Sequence, residues 1–376
     1  MLLQRTCQVA VIMKTVFSTL AALLASAALP AQAEEATPFK ASLLGQVVLP
    51  TGLKIAGAEF GGISGLDYDA ASGLFYAISD DRSERAPARL YTLKLAIDGK
   101  GVHGIDIVSS AELRNAEGAA FAKKDVDPEA IRFDAAANRL FWSSEGDAAG
   151  RPAIYEAKPD GTHVRSFAIP EAYLPDADRT RGVRGNLAFE SLAISPDGKT
   201  LWAGTENALA QDGEKATLEA GSPSRVIGFD IASGAVTAEY VYDNGPIFTK
   251  ATQDPFYNDN GLSEFMFFGP DQLFAIERSF ALGIGSEINF YLASFSGATD
   301  VKGAASIKGV AATAMPKRKV LKLGEGDFGL DIDNIESVTW GPEIDGQRTL
   351  VIASDSNFNP EQFTQFVVLK LDAATN

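Results

Sequence analysis

One pattern recurs five times along the chain and limits what it can become. A strand reads E-x-Φ-x-Φ (Φ apolar), a tight turn follows, and a second strand reads L-x-Φ and ends near a carboxylate. The fullest copy runs from Asn186 to Asn207. Glu190, Leu192 and Ile194 alternate with smaller residues at the two-residue period of a strand. Ser195-Pro196-Asp197-Gly198 turns the chain, because proline presets φ and glycine accepts a positive one. Leu201 and Trp202 open the return strand, which ends on Thr205-Glu206. Glu190 and Glu206 thereby come to the same end of the hairpin.

The other copies begin at Ile63, Pro128, Ser263 and Ile335, with return strands Leu74 to Asp80, Leu140 to Glu145, Leu273 to Glu277 and Leu350 to Asp355. The anchor positions Ser64, Glu129, Glu190, Glu264 and Glu336 are spaced by 65, 61, 74 and 72 residues, the mark of a repeat architecture. Ser64 stands where the other copies have Glu. Four copies carry two further strands: Arg89 to Leu95 and Gly104 to Leu113, Ala153 to Ala157 and Val164 to Ile169, Arg225 to Ile231 and Val236 to Tyr242, and Ile288 to Phe295 and Lys317 to Leu323. The fifth has only Gln365 to Leu371, while one spare strand, Ala41 to Pro50, precedes the first hairpin. A strand missing at the end and a strand to spare at the start predict an all-β β-propeller. It has five four-stranded blades, and the N-terminal strand completes the last. Six blades, the alternative, would need a repeat that the sequence does not show. The repeat also overrides the length-based expectation of two or more domains, and a single propeller domain over 34–376 is expected.

Residues 1–33 read as a secretory signal: Met13-Lys14 starts a basic segment, Val16 to Leu29 is apolar and Ala-rich, and Ala31-Gln32-Ala33 is an A-x-A cleavage site. The apolar run is short for a membrane span and ends in small residues. An exported chain, periplasmic or secreted, is expected, with no membrane span in its mature form. The single cysteine, Cys7, lies inside the signal, which leaves the mature chain without disulfides or a thiol nucleophile. The formal charge of −16 becomes −16 − 2 = −18 once Arg5 and Lys14 are removed. That charge excludes nucleic acid, whose binders need a basic face. It suits a cationic partner, or an anion held through bound metal. A monomer is expected.

Loop length separates two faces. Ser195 to Lys199, Gly269 to Gln272, Lys158 to Gly161 and Ala232 to Gly234 are short and share one face. The long connections Glu171 to Gly185, Glu206 to Ser224, Asp243 to Asn260 and Glu325 to Asp333 fall on the other, where binding residues usually sit. The repeated acids open onto that face. Glu129, Glu190, Glu264 and Glu336 are expected to ring the mouth of the central channel, with Asp80, Glu145, Glu206, Glu277 and Asp355 behind them. Asp81, Asp127 and Asn334 are close in sequence. Converging carboxylates raise one another's pKa unless a cation sits among them. An oxygen-rich set without histidine suits a hard cation, Ca²⁺ before Mg²⁺. With only His103 and His163 available, both outside the repeat, neither a zinc site nor a Ser-His-Asp triad is expected. The competing reading is that such acids bond backbone N–H groups or pair with arginines between blades. It applies well to any one acid and poorly to a whole ring. Arg181 and Arg184, in the loop before the third hairpin, and Arg82 and Arg278, beside second-strand acids, are the candidate anion contacts.

G-G-I-S-G-L-D-Y-D, N-L-A-F-E-S-L-A-I-S-P-D-G-K-T-L-W-A-G-T-E-N-A-L and D-N-I-E-S-V-T-W-G-P together resemble the phytase-like domain family, "esterase-like activity of phytase". The resemblance extends from about Gly61 to Leu371. It implies phosphoester hydrolysis served by the repeated acids, here Glu129, Glu190, Glu264 and Glu336. The expected activity is then Ca²⁺-dependent hydrolysis of a small anionic phosphate ester, with Glu190 orienting the attacking water. A non-catalytic exported propeller with structural Ca²⁺, or a metal-dependent lactonase, fits the same acids.

Overall fold

The computed structural model describes residues 39–372; the segment read as an export signal lies outside the described residues. Strand β1 (Lys40–Pro50) is followed by a short ladder, β2 (Lys54–Ile55) with β3 (Ala58–Glu59). Five four-stranded antiparallel sheets come next. The first blade is β4 (Ile63–Asp69), β5 (Leu74–Ser79), β6 (Arg89–Asp98) and β7 (Gly101–Glu112). The second is β8 (Pro128–Asp134), β9 (Arg139–Ser144), β10 (Ala153–Ala157) and β11 (His163–Ser166). The third is β12 (Phe189–Ile194), β13 (Thr200–Thr205), β14 (Pro223–Asp230) and β15 (Val236–Asp243). The fourth is β16 (Asn258–Gly269), β17 (Gln272–Ala281), β18 (Gly285–Ser294) and β19 (Lys317–Gly324). The fifth runs β20 (Asn334–Trp340), β21 (Arg348–Asp355), β22 (Phe363–Asp372) and then β1.

The ring closes as the sequence predicts. β1 pairs antiparallel with β22, from Ala41 opposite Leu371 to Pro50 opposite Phe363. That pairing covers the outer edge of β22 and gives the fifth blade its fourth strand. The first strands β4, β8, β12, β16 and β20 neighbour one another around the channel.

Five apolar clusters occupy the five gaps between blades. One example lies between blades four and five and includes Phe274, Ile276, Phe290, Ile335, Ile352 and Val367. Both faces of a blade are therefore covered, so strand centres read as unbroken apolar runs. Leu350, Val351, Ile352 and Ala353 are all fully buried. Five blades with five interfaces exclude the six-bladed alternative.

The face assignment holds with one exception. Residues 295–316, between β18 and β19, form a long connection within a pair for which the sequence suggests a short turn. This segment reaches back to blade three, where Val301 and Met315 donate backbone hydrogen bonds of 2.8 Å to Glu239 and Val241 on β15. It covers the outer edge of that blade, a common defence against edge pairing. Among the described residues no helix is long and apolar enough to cross a membrane.

Candidate functional site

Each channel-lining strand carries a β-bulge at the same level. In blade three Phe189 lies opposite Thr205 and Ser191 opposite Gly204, so Glu190 is the extra residue. The same count makes Ser64 and Glu336 the extra residues in blades one and five, and in blade two Glu129 and Ala130 together face Ser143. A bulge bends the strand and re-aims the side chain at its apex. Here Glu129, Glu190 and Glu336, at the bulges of blades two, three and five, line the mouth.

Behind the bulges, Asp80, Glu145 and Glu206 follow directly on the second strands, and Asp355 ends β21. Backbone bonds of 2.8, 2.9 and 2.7 Å, Asp80 to Gly62, Glu145 to Asp127 and Glu206 to Ala188, hold the first three at equivalent positions. Gly62 must be glycine: its φ is +64°, and a Cβ there would lie 1.9 Å from Asp80 Oδ1.

These residues surround a cavity of about 620 Å³ lined by Asp80, Arg82, Asp127, Glu129, Glu190, Glu206, Asp259, Arg278, Glu336 and Asp355, among others. Asp127, Glu129 and Glu145 each bring one oxygen within 4.8 Å of the others, and so do Glu145, Glu190 and Glu206. Glu145 is common to both sets. It accepts a hydrogen bond from the Ala188 amide on one oxygen, while its Oε2 is buried without a partner, as is Asp80 Oδ1. Glu336 accepts from Ser64 Oγ at 3.2 Å and from Asn334 Nδ2 at 2.9 Å. Arg82 Nε lies 3.3 Å from Asp127 Oδ2.

The electrostatics follow from this crowding. Burial, then Glu336 and Asp127, push Asp80 up to about 8. Burial, then Asp127, push Glu145 up to about 7, although the Ala188 amide pulls the other way. Asp127 rises to about 6 through burial, opposed by Arg82. Glu129, Glu190, Glu206 and Asp355 are raised well above the carboxylate range, burial leading in each. Glu336 is raised by burial against the pull of Arg278. Buried acids that hold protons near neutrality are a site short of positive charge. Carboxylate oxygens in overlapping groups, with Glu145 Oε2 among them unpartnered and Asp80 Oδ1 unpartnered nearby, fit a hard divalent cation.

Blade four departs from the expected ring. Leu262 lies opposite Glu277 and Glu264 opposite Ile276, so the extra residue is Ser263 and not Glu264. The residue in register with Asp80, Glu145, Glu206 and Asp355 is then Arg278, opposite Gly261, and not Glu277. One residue of register reverses every side chain. Glu264 is fully buried and pairs with Arg132 Nη2 at 2.8 Å, away from the mouth cavity. Burial pushes it up to about 8 despite that arginine. Glu277 pairs with Lys317 and accepts from Tyr242 Oη at 2.9 Å and the Gly245 amide at 2.8 Å. For these two acids the tie-between-elements role describes their surroundings, and neither lines the mouth. Asp81 is likewise tied to Arg89, at 2.7 Å.

Of the four arginines, Arg82 and Arg278 line the cavity and Arg181 and Arg184 do not. Arg278 Nη2 sits 3.7 Å from Glu206 and 3.5 Å from Glu336. Burial works against its charge, but Asp259, Glu336 and Glu206 outweigh burial and raise its pKa. Arg181 lies 3.2 Å from Glu171, and Arg184 donates to the Gly213 carbonyl at 2.6 Å. Sequence reasoning missed Tyr257, Asp259, Asp333 and Glu361, which also line the mouth. Tyr257 immediately precedes β16 and Asp259 lies near its start, opposite Phe280, a signal hidden by the misplaced anchor.

A five-bladed propeller with a carboxylate-rich channel mouth is the class that fold and site define. The family model "Phytase-like: Esterase-like activity of phytase" matches residues 58–358, and the chain belongs to that family. No curated protein matches the chain. Among solved structures it is similar to the propeller of Dos1, at 9% identity and a TM-score of 0.33, covering 83% of this chain and 68% of that one. It is also similar to an endo-arabinase from Bacteroides thetaiotaomicron, at 11% identity and a TM-score of 0.46, covering 90% and 97% of the two chains.

Proposed function

We propose that the protein is an exported, Ca²⁺-dependent phosphoester hydrolase working at the mouth of the channel. The observation that carries the reading is Glu145, shared by two carboxylate triads, with one buried oxygen that has no partner. Glu129, Glu145, Glu190 and Glu206, with Asp127, would hold the cation; Asp80, Glu336 and Asp355 complete the acidic wall. Bound there, Ca²⁺ would neutralise phosphoryl oxygens and acidify a nearby water. Glu190 is the candidate catalytic residue. It is open to the cavity at the apex of its bulge, and burial, then the charges of Glu145 and Glu206, raise its pKa, so its carboxylate can take a proton from water. A water that loses a proton to Glu190 attacks phosphorus, the ester P–O bond breaks, and the departing alkoxide takes up a proton to leave as the alcohol. Arg82 and Arg278 meet the phosphate oxygens as fixed cations.

The test is a panel of phosphomonoesters, phosphodiesters, carboxyl esters and lactones, assayed after chelation and after Ca²⁺ is returned. Calcium-restored turnover of phosphate esters is expected. Turnover confined to lactones would replace the reading with a lactonase, and Ca²⁺ binding with no turnover would leave a binding module. Export rests on the signal pattern of residues 1–33. The N-terminal mass of protein recovered outside the cytoplasm, expected to begin after Ala33, checks it.

A further inference from the structure

Blade four stands taller over the mouth than its neighbours. Its first strand has 12 residues, against 7, 7, 6 and 7 in blades one, two, three and five. The excess lies at the mouth end: β16 starts five residues before its bulge at Ser263, whereas β12 starts one residue before Glu190. Four extra residues raise a wall of roughly 13 Å above the level of the carboxylates.

The top of that wall is apolar and uncovered. Phe256, Tyr257 and Ile284 are 56%, 50% and 45% exposed, and they share one corner, since Leu282 donates its amide to the Tyr257 carbonyl at 2.9 Å. Tyr257 and Phe280 face the cavity, with ring centroids 6.3 Å apart. The Tyr257 hydroxyl bonds to Asp259, which orients the ring against the wall. Large apolar side chains gathered at the rim of a polar site call for an apolar group on the ligand.

The charge of the mouth argues in the same direction. Ten of its lining side chains are carboxylates and two, Arg82 and Arg278, are cationic. A few bound cations offset a single phosphate in such a bowl. A densely charged polyphosphate would meet uncompensated carboxylates on every side.

Building on the hydrolase reading, we infer that the substrate is a phosphate monoester of an alcohol carrying a flat apolar ring. The phosphate lies among the carboxylates and arginines, and the ring rests on Tyr257 and Phe280. Inositol hexakisphosphate, with six phosphates and no flat apolar ring to rest on that wall, should be the poorer substrate. Water delivers oxygen to phosphorus, the P–O bond to the ring-bearing alcohol breaks, and that alcohol leaves along the apolar wall carrying a proton.

The experiment compares benzyl phosphate, glycerol 3-phosphate and inositol hexakisphosphate on the Ca²⁺-loaded wild type, Tyr257→Ala and Tyr257→Phe. Wild type should prefer benzyl phosphate, whose leaving group is an alkyl alcohol like that of glycerol 3-phosphate, by about tenfold or more in kcat/KM, as expected for stacking one ring. Tyr257→Ala should remove most of that preference by raising KM, with glycerol 3-phosphate changed less than about twofold, and Tyr257→Phe should retain it. Equal losses on both small substrates, failure of the Phe variant to rescue, or a wild-type preference for inositol hexakisphosphate would overturn the inference. If no ester is hydrolysed, calorimetry with phenylphosphonate and methylphosphonate separates the two ideas. Tighter phenylphosphonate binding, lost in the Ala variant and kept in the Phe variant, would sustain the ring site while the hydrolase reading falls. Equal affinities, or no binding of either, would defeat the ring site itself.

Discussion

Blades three and four bring the same kind of hairpin to the channel and leave different chemistry at its mouth. Blade three presents Glu190 at its bulge and Glu206 behind it. Blade four presents Ser263 and Arg278 in the same two places. Its glutamates, Glu264 and Glu277, sit one residue off and are paired with Arg132 and Lys317. The acids of blade three have no such cation of their own, apart from the shared and longer contact of Glu206 with Arg278 at 3.7 Å. The difference teaches that a carboxylate in a propeller channel takes its role from its register. An acid at the bulge is left short of positive charge, and one beside the bulge is absorbed into the scaffold.

The comparison can be broken most forcefully on the scaffold side. Arg132 is buried and donates to Glu264 and to the carbonyls of Leu66 and Phe265. Arg132→Met should destabilise the fold by about 3–5 kcal/mol, the usual result of stranding one member of a buried ion pair. Chemical denaturation would show it, and a loss under about 1 kcal/mol would mean that the pair does not hold the channel.

The mouth should respond in rate and not in stability. Glu190→Gln keeps the shape and should reduce phosphoester turnover by on the order of a hundredfold, with the unfolding midpoint nearly unchanged. Glu264→Gln, on the other side of the comparison, should change turnover by less than about threefold while lowering stability. Steady-state kinetics and melting curves on the two variants, taken together, read the contrast directly.

Calcium and pH should act on the mouth in opposite senses. Asp80, Glu145 and Asp127 have folded-state pKa values raised to about 8, 7 and 6, so the metal-free folded protein binds more protons than the unfolded chain. Its stability should therefore be greatest at low pH within this window and fall as pH rises from about 4 to about 8. Saturating Ca²⁺ should reverse the slope, adding about 2.7 kcal/mol at a hundred times its dissociation constant. Melting temperatures at pH 5 and pH 8, with chelator and with Ca²⁺, test both signs.

The smallest effect expected is at Arg278. Removing the cation that blade four contributes, by Arg278→Ser, should raise Ca²⁺ affinity by a few-fold, because Glu206 and Glu336 are freed for the ion. The same change should weaken phosphate binding, seen as a higher KM. Calorimetric titration with Ca²⁺ that shows weaker binding in the variant would mean that Arg278 positions the acids and does not compete for them.

Much of this molecule was legible in the sequence because hairpins are local. Alternation, a Ser-Pro-Asp-Gly turn and a spacing near 70 residues need only the chain's own neighbours, and they led to five blades and to closure by Ala41 to Pro50. The mouth face followed from loop length, and Glu129, Glu190, Glu336, Asp80, Glu145, Glu206 and Asp355 all reached the mouth region. What the sequence could not show is where a bulge falls. In S-E-F-M-F-F the period-two pattern fits an anchor at Glu264 as well as one at Ser263, and only hydrogen-bond pairing with β17 separates them. Long loops were equally silent. Arg181 and Arg184 lie next to the third hairpin in sequence, yet their loop folds them onto Glu171 and the Gly213 carbonyl, whereas Tyr257 and Asp259 rise over the mouth. Short-range chemistry determined the blades. The placing of charge around the channel was decided by pairing between strands and by loop paths, which depend on residues far apart along the chain.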